Sequence, residues 1–258
     1  MNAPAVSQSA ATERAAAESP RRAGFIIPSS NRRFEPEAAA FLPAGVVPHI
    51  ARARMTGPWR DAPEAVLARI LDAARCLADA RCELLFMHCT AHSTKQGPQG
   101  ELDLLTAIRE ATGIKAVATG LAIRAAFAAL GARRVAVATP YDRATTDEEV
   151  RYFEACDFTV VYARAYDLTG TDAFCSTPPR FWREAMADDS KHFAGSDAVL
   201  LSCANIRCLE ALDSIEAAAG RPLITSNQAG LWYAARAVGV EETLPQFGCL
   251  SQRPMAAA

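Results

Sequence analysis

Short apolar runs alternate along the chain with longer stretches in which apolar residues recur every three or four positions, the spacing of one helix face. Gly24-Phe25-Ile26-Ile27 is a run closed by the polar turn Pro28-Ser29-Ser30-Asn31, and Val46 to Ile50 is a weaker one. From Pro63, Leu67, Ile70, Leu71, Ala74, Leu77 and Ala78 make one helical stripe, with Cys76 off it and Cys82 just past its end. Glu83 to His88 is a strand that delivers Cys89. Thr90 to Pro98 reads as a turn, and a helix from about Gly100 stops near Gly113, where glycine supplies the C-terminal cap.

The second half repeats the scheme. Ile114 to Ala118 is a strand, Leu121 to Leu130 an Ala-rich helix stopped by Gly131, and Val135 to Ala138 the next strand. Thr146-Asp147-Glu148-Glu149 has the form of a capping box that opens a helix. Thr159 to Ala163 is β-prone, and Pro178-Pro179 starts a helix containing Phe181, Trp182 and Met186. A strand from Ala198 ends at Cys203 and is followed by a helix from about Asn205 or Ile206 to Ala219. A short strand, Leu223 to Thr225, and a helix after Ser226-Asn227 complete the pattern.

Strand and helix alternating in this way predict an α/β fold with mainly parallel sheets flanked by helices. The chain also echoes itself. Pro28 precedes Cys89 by 61 residues and Pro140 precedes Cys203 by 63, and both cysteines follow a buried strand. A duplicated βαβαβ unit gives that near-equality, so two pseudo-symmetric lobes are expected. The divisions are a disordered extension over 1–22, lobe 1 over 23–118 completed by about 223–250, lobe 2 over 119–222, and a flexible tail over 251–258.

Composition narrows the partners. The formal net charge of −2 gives no footprint for nucleic acid or an anionic membrane, and no apolar run is long enough to span a bilayer. The Ala, Ser and Glu of residues 1–20 lack the apolar centre of a signal peptide, and Arg21-Arg22 is followed by only Ala23 to Ile27 before polar residues return. A cytoplasmic location is expected, with the eight cysteines reduced. His88-Cys89-x-x-His92 is the one tight cluster of metal-ligating types. Adjacent strand residues point to opposite faces, so no metal is expected there. With no glycine-rich phosphate loop, no cofactor is expected either.

Strand ends are where α/β proteins place their chemistry. Cys203, between a buried strand and a helix start, would have its thiolate stabilised by free N–H groups and the helix dipole; its structural alternative is a small buried hydrophobe. Cys89 has the same position, followed by Thr90, Ala91, His92 and Ser93, a turn rich in donors. His92 is either a solvent-facing loop residue or a neighbour that tunes Cys89 and binds a carboxylate. Asn31 and Tyr141 occupy corresponding turns. Either one hydrogen-bonds substrate, or the asparagine caps a helix and the tyrosine packs between lobes. Asn205 and Asn227 are caps or ligands.

In Pro28-Ser29-Ser30-Asn31, Cys89-Thr90, Thr139-Pro140-Tyr141, Ser202-Cys203-Ala204-Asn205 and Ser226-Asn227-Gln228-Ala229 the chain resembles the maleate cis-trans isomerase and arylmalonate decarboxylase branch of the aspartate/glutamate racemase superfamily, from about Gly24 to Arg236. The resemblance implies a cofactor-independent enzyme with its active site in the cleft between two lobes. It makes Cys89 the nucleophile, Cys203 the proton donor, and Asn31 and Tyr141 substrate-binding residues, joined by Thr90, Ala91, His92, Thr171, Ala204 and Asn205. The implied partner is a small carboxylate, with self-association left open. Two positions depart from the isomerases: His92 stands where they have a very small residue, and Gly170-Thr171-Asp172 where they have a substrate-binding asparagine. His92 is therefore expected to shape specificity, and an Asp172 facing the pocket would repel a dicarboxylate.

Isomerisation of a small unsaturated dicarboxylate leads on these grounds. Racemisation by the same two thiols, decarboxylation of a substituted malonate, and a ligand-binding domain without turnover are the alternatives.

Overall fold

In strand β1, Arg21–Pro28, residues 23–27 are wholly buried, because β1 is an inner strand covered on both faces. The computed structural model describes residues 20–55 and 61–255. Most of the expected N-terminal extension (1–19) and the end of the expected tail (256–258) lie outside the described residues. Arg21 and Arg22, assigned to that extension, instead pair with Val46 and Val47.

The first half contains β1, α1 (Phe34–Phe41), β2 (Val46–Ala53), α2 (Pro63–Asp79), β3 (Leu84–Met87), α3 (Thr90–Lys95), α4 (Gly97–Thr112) and β4 (Ala116–Ala118). The second contains α5 (Thr119–Leu130), β5 (Arg134–Thr139), α6 (Arg143–Glu154), β6 (Thr159–Ala165), α7 (Gly170–Ser176), α8 (Pro179–Asp189), β7 (Ala198–Leu201), α9 (Leu212–Ala219), β8 (Leu223–Thr225) and α10 (Ser226–Ala237), with short 3-10 turns at Ser190–Phe193, Leu209–Ala211 and Pro245–Leu250. The strands form two four-stranded parallel sheets of identical order, β2-β1-β3-β4 and β6-β5-β7-β8.

The register makes the duplication exact at the strand ends. Ile26 pairs with Met87 in the first sheet as Ala138 pairs with Leu201 in the second. The next residues, His88 and Ser202, donate their N–H to the Ile26 and Ala138 carbonyls, at 2.8 Å in both sheets. Cys89 and Cys203 are therefore equivalent positions.

The helices that leave the two sheets cross over. α5 follows β4 and packs on β8, whereas α10 follows β8 and packs on β3 and α1, and the two helices pack on each other. α10 lies so close to the first sheet that a Cβ on Gly230 would come within 2.8 Å of the His88 ring.

Three local expectations are corrected. Thr90–Lys95, read as part of a turn, is the helix α3. α6 begins at Arg143, not at the Thr146 capping box, because the Asp142 carboxylate caps it by accepting from the Thr145 N–H at 2.8 Å. No helix begins at Asn205 or Ile206: residues 204–207 are turns and bends, and the first helical turn is the 3-10 segment at Leu209. Among the described residues no helix is long and apolar enough to cross a membrane.

Candidate active site

The C-terminal ends of β1, β3, β5 and β7 converge on a single cavity of about 370 Å³. Cys89 and Cys203 both line it, as do Asn31, Thr90, Ala91, Tyr141, Thr171, Ala204 and Asn205. Two thiols from equivalent strand ends thus face one space from opposite lobes.

The turns that carry them are stapled together. The Asn31 Nδ2 donates to the Ala204 carbonyl at 2.9 Å, and its Oδ1 accepts from the Arg33 and Phe34 N–H groups, both at 2.9 Å. Asn31 is therefore a helix-capping group and a pocket residue at once, with one amide hydrogen left over. Asn205 answers from the other lobe: its Oδ1 accepts from the Arg32 N–H at 2.9 Å and from the Cys175 thiol at 3.1 Å.

Cys89 is the N-cap residue of α3, and Cys203 has no helix behind it. The helix-dipole argument made for Cys203 is thus corrected, since the chain turns away at 204–207 to make its cross-lobe bonds. Burial raises both thiols. Cys89 is pushed up to about 11, with the His92 backbone N–H acting against the rise. Cys203 goes up to about 12, opposed by hydrogen bonds from the Tyr141 hydroxyl and the Asn205 N–H, the latter at 3.4 Å. Burial likewise holds the Tyr141 hydroxyl well above its usual range, so it remains a donor.

Burial raises both thiols, and Cys89 is the less buried of the two. Iodoacetamide should therefore label Cys89 before Cys203. Peptide mass spectrometry over a time course checks this, and earlier labelling of Cys203 would reverse the assignment of roles.

Of the cluster that the sequence suggests, His88 lines the cavity with Cys89, and only His92 lies apart. The His88 ring is fully buried, with Nε2 2.7 Å from Asn227 Oδ1 and Nδ1 3.2 Å from Thr119 Oγ1, and burial lowers it to about 4, so it is neutral. Asn227 in turn donates to Glu37 at 2.5 Å. Asn227 is thus a bridge between elements rather than a pocket residue. His92 does not line the active cavity: successive side chains on a helix fan out by about 100°, and beyond Thr90 and Ala91 the imidazole turns into a separate cavity shared with Asp61, Glu64 and Lys95. Its expected contact with substrate is corrected on that ground. Asp172 also points away; its side chain is 95% exposed and bonds Arg32 at 2.5 Å. Thr171 faces the cavity without it. Among the described residues no group of three or more His, Cys, Asp or Glu could hold a metal ion.

Sequence reasoning missed the apolar wall of Met55, Leu168 and Phe174, with the Phe174 ring edge-on to Tyr141 at 5.7 Å. It also missed two buried supports. Glu101 on α4 accepts from Ser93, from Tyr152 on α6 and from the Leu121 N–H at 3.1 Å, pinning α3 against the second half. Glu149 accepts from the Ser202 hydroxyl at 2.6 Å, directly before Cys203. Isolated buried carboxylates carry no local sequence signal.

A family model described as arylmalonate decarboxylase matches residues 23–250. The chain belongs to that family. Among its relatives, the arylmalonate decarboxylase of Bordetella bronchiseptica is 27% identical over 229 residues, covering 88% of this chain and 95% of that protein. The maleate isomerase of Nocardia farcinica is 28% identical over 250 residues, covering 92% and 97%. A solved cysteine-to-serine mutant of the Nocardia farcinica maleate cis-trans isomerase, with a covalently bound succinylcysteine intermediate, matches with a TM-score of 0.77 at 25% identity, over 88% of this chain and 96% of that one. The family branch of the aspartate/glutamate racemase superfamily that the motifs suggest is therefore shown, together with its two-sheet α/β fold.

Proposed function

We propose that this family member is a cofactor-independent isomerase of a small unsaturated carboxylic acid, similar to maleate cis-trans isomerase, with Cys89 as nucleophile and Cys203 as acid. The observation that carries the reading is the pair of thiols from equivalent strand ends lining one cavity. Cys89 thiolate adds to one alkene carbon, and the electron pair of the double bond moves to the other carbon, which takes the proton of Cys203. The resulting single bond rotates. Cys203 thiolate then removes a proton from that same carbon, the double bond re-forms in the trans sense, and Cys89 thiolate leaves. Atoms and charge are restored at the end of each cycle. The succinylcysteine held by the Nocardia relative is the kind of adduct this sequence forms. Asn31, Tyr141 and the N-terminal turn of α3 are disposed to bind a carboxylate. Thr171 and Asn205 stand across the cavity.

The apolar wall of Met55, Leu168 and Phe174 favours a second reading, decarboxylation of an aryl-substituted malonate, in which carbon dioxide leaves and Cys203 protonates the remaining carbanion. Incubation in deuterated buffer with maleate, small amino acids and arylmalonates separates the chemistries. Conversion of maleate to fumarate supports the isomerase. Carbon dioxide release from the malonates without any fumarate replaces it by the decarboxylase, and α-deuteration alone replaces it by a racemase.

His92 should be dispensable for substrate choice. His92→Ala is expected to leave the relative rates for small and large substrates within about twofold, since its ring faces the other cavity. A changed ratio in competition assays would return it to the site.

A further inference from the structure

Cys203 has φ = +99°, a strained conformation that residues other than glycine rarely adopt. Its counterpart Cys89 has an ordinary extended backbone, with φ = −158°. The two strand ends are equivalent in register, but the chain beyond them differs: a helix follows Cys89, and turns and bends follow Cys203.

One hydroxyl also distinguishes the two strand ends. The Cys203 N–H donates to Ser226 Oγ at 3.0 Å, and the same oxygen accepts from the Thr90 hydroxyl at 2.8 Å. Thr90 is the residue after Cys89. Ser226 thus bonds at one atom the main chain of one thiol residue and the neighbour of the other. In the pseudo-symmetric half the corresponding residue, after β4 as Ser226 is after β8, is Thr119. Its hydroxyl lies near the Met87 carbonyl and His88 Nδ1, at 3.3 and 3.2 Å, and among the described residues it makes no bond to the Cys89 N–H. The lobe with the tie has the strained cysteine, and the lobe without it has the relaxed one.

Ser226 is well fixed for such a role. It is fully buried and opens α10, whose N-terminus is locked by a capping box between Thr225 and Gln228. Gln228 also donates to the Phe247 carbonyl at 2.9 Å, and Asn227, directly after Ser226, bonds His88 and Glu37 of the first half. An oxygen held this firmly transmits its position to both partners.

We propose that Ser226 is a positioning residue that sets the relative placement of the two thiols, holding Cys203 in its strained turn while anchoring the residue beside Cys89. This rests on the two-thiol reading of the site. A chemistry that needs both sulfurs on one substrate loses about 10²-fold when one is misplaced by about 1 Å, whereas a reaction at a single thiol does not.

The test compares Ser226→Ala with Ser226→Thr, which keeps the hydroxyl, in kinetics on the substrate found above and in iodoacetamide labelling of each cysteine. For Ser226→Ala, kcat should fall about 10- to 100-fold with KM within about threefold, labelling of Cys203 should accelerate about tenfold, and that of Cys89 should stay within about twofold. Ser226→Thr should return both readouts to within about threefold of the parent. Unchanged labelling of Cys203 in a folded Ser226→Ala overturns the proposal whatever the activity. So does a folded Ser226→Thr in which kcat falls at least about 10-fold and Cys203 labels about tenfold faster than in the parent, and this arm decides the matter if Ser226→Ala does not fold. Labelling that changes as expected in a protein that turns over none of the substrates defeats the functional reading instead and leaves the positioning intact.

Discussion

Cys89→Ala and Cys203→Ala should each lower turnover by about three orders of magnitude or more while leaving the fold intact. The replacement removes one atom from each side chain, so the packing loss is about 1 kcal/mol. At Cys203 alanine meets the same backbone strain as cysteine, because φ is positive in either case. The two groups work as a unit, one forming the bond to carbon and the other managing the proton, so the double variant should be scarcely slower than the poorer single one. Steady-state rates with circular dichroism on the three variants check this. A folded single variant that keeps a tenth of the parent turnover shows that its thiol is not part of the chemistry.

Glu149 should govern a large share of the pH dependence of stability. One of its oxygens accepts from Ser202 and the other is buried without a partner, and burial raises it from 4.5 to about 7. Below pH 4.5 the carboxyl is protonated in the folded and unfolded chain alike, and no penalty exists. Between 4.5 and 7 the unfolded chain releases a proton that the folded chain retains, so stability falls as pH rises. Above 7 the full penalty applies, about 3 kcal/mol for a shift of this size. Glu149→Gln keeps an acceptor for Ser202 and cannot ionise. Relative to the parent it should gain about 2–3 kcal/mol between pH 5 and pH 8, read from urea midpoints. Glu37, raised to about 7 by burial in the same way, leaves a residual slope in the variant. An equal difference between parent and variant at both pH values would mean that Glu149 is ionised in the folded protein throughout.

The strands were legible because inner strands of a parallel sheet are continuous apolar runs, and Phe25-Ile26-Ile27, Leu84 to Met87 and Ala198 to Leu201 have no other reading. Their equivalence was legible from spacing alone. Short polar elements were not: the residues of α3, Thr-Ala-His-Ser-Thr-Lys, have no apolar period, and that helix is held by Glu101 and by packing on α6, which no local pattern records. The error at Asn205 has a similar origin. An asparagine after a strand has the local form of an N-cap, but here its side chain bonds Arg32 of the other half. His92 was misplaced because a turn and a helix send the third residue after Cys89 in different directions. Cys89, Cys203, Asn31 and Tyr141 line one cavity because each follows the end of a strand, which the sequence pattern marks, whereas Ser226 and Glu149 make their contacts with residues 23 and 53 positions away.

The most direct test of the two-thiol account is covalent trapping. Cys203→Ser, denatured after incubation with maleate and digested, should yield a succinyl adduct on the peptide bearing Cys89, since the Cys89 thiolate still adds, water protonates the neighbouring carbon, and a serine hydroxyl is too weak an acid to form the base that takes this proton back. Conversion of maleate by the parent protein without any adduct on Cys89, or an adduct on another cysteine in its place, would contradict the account.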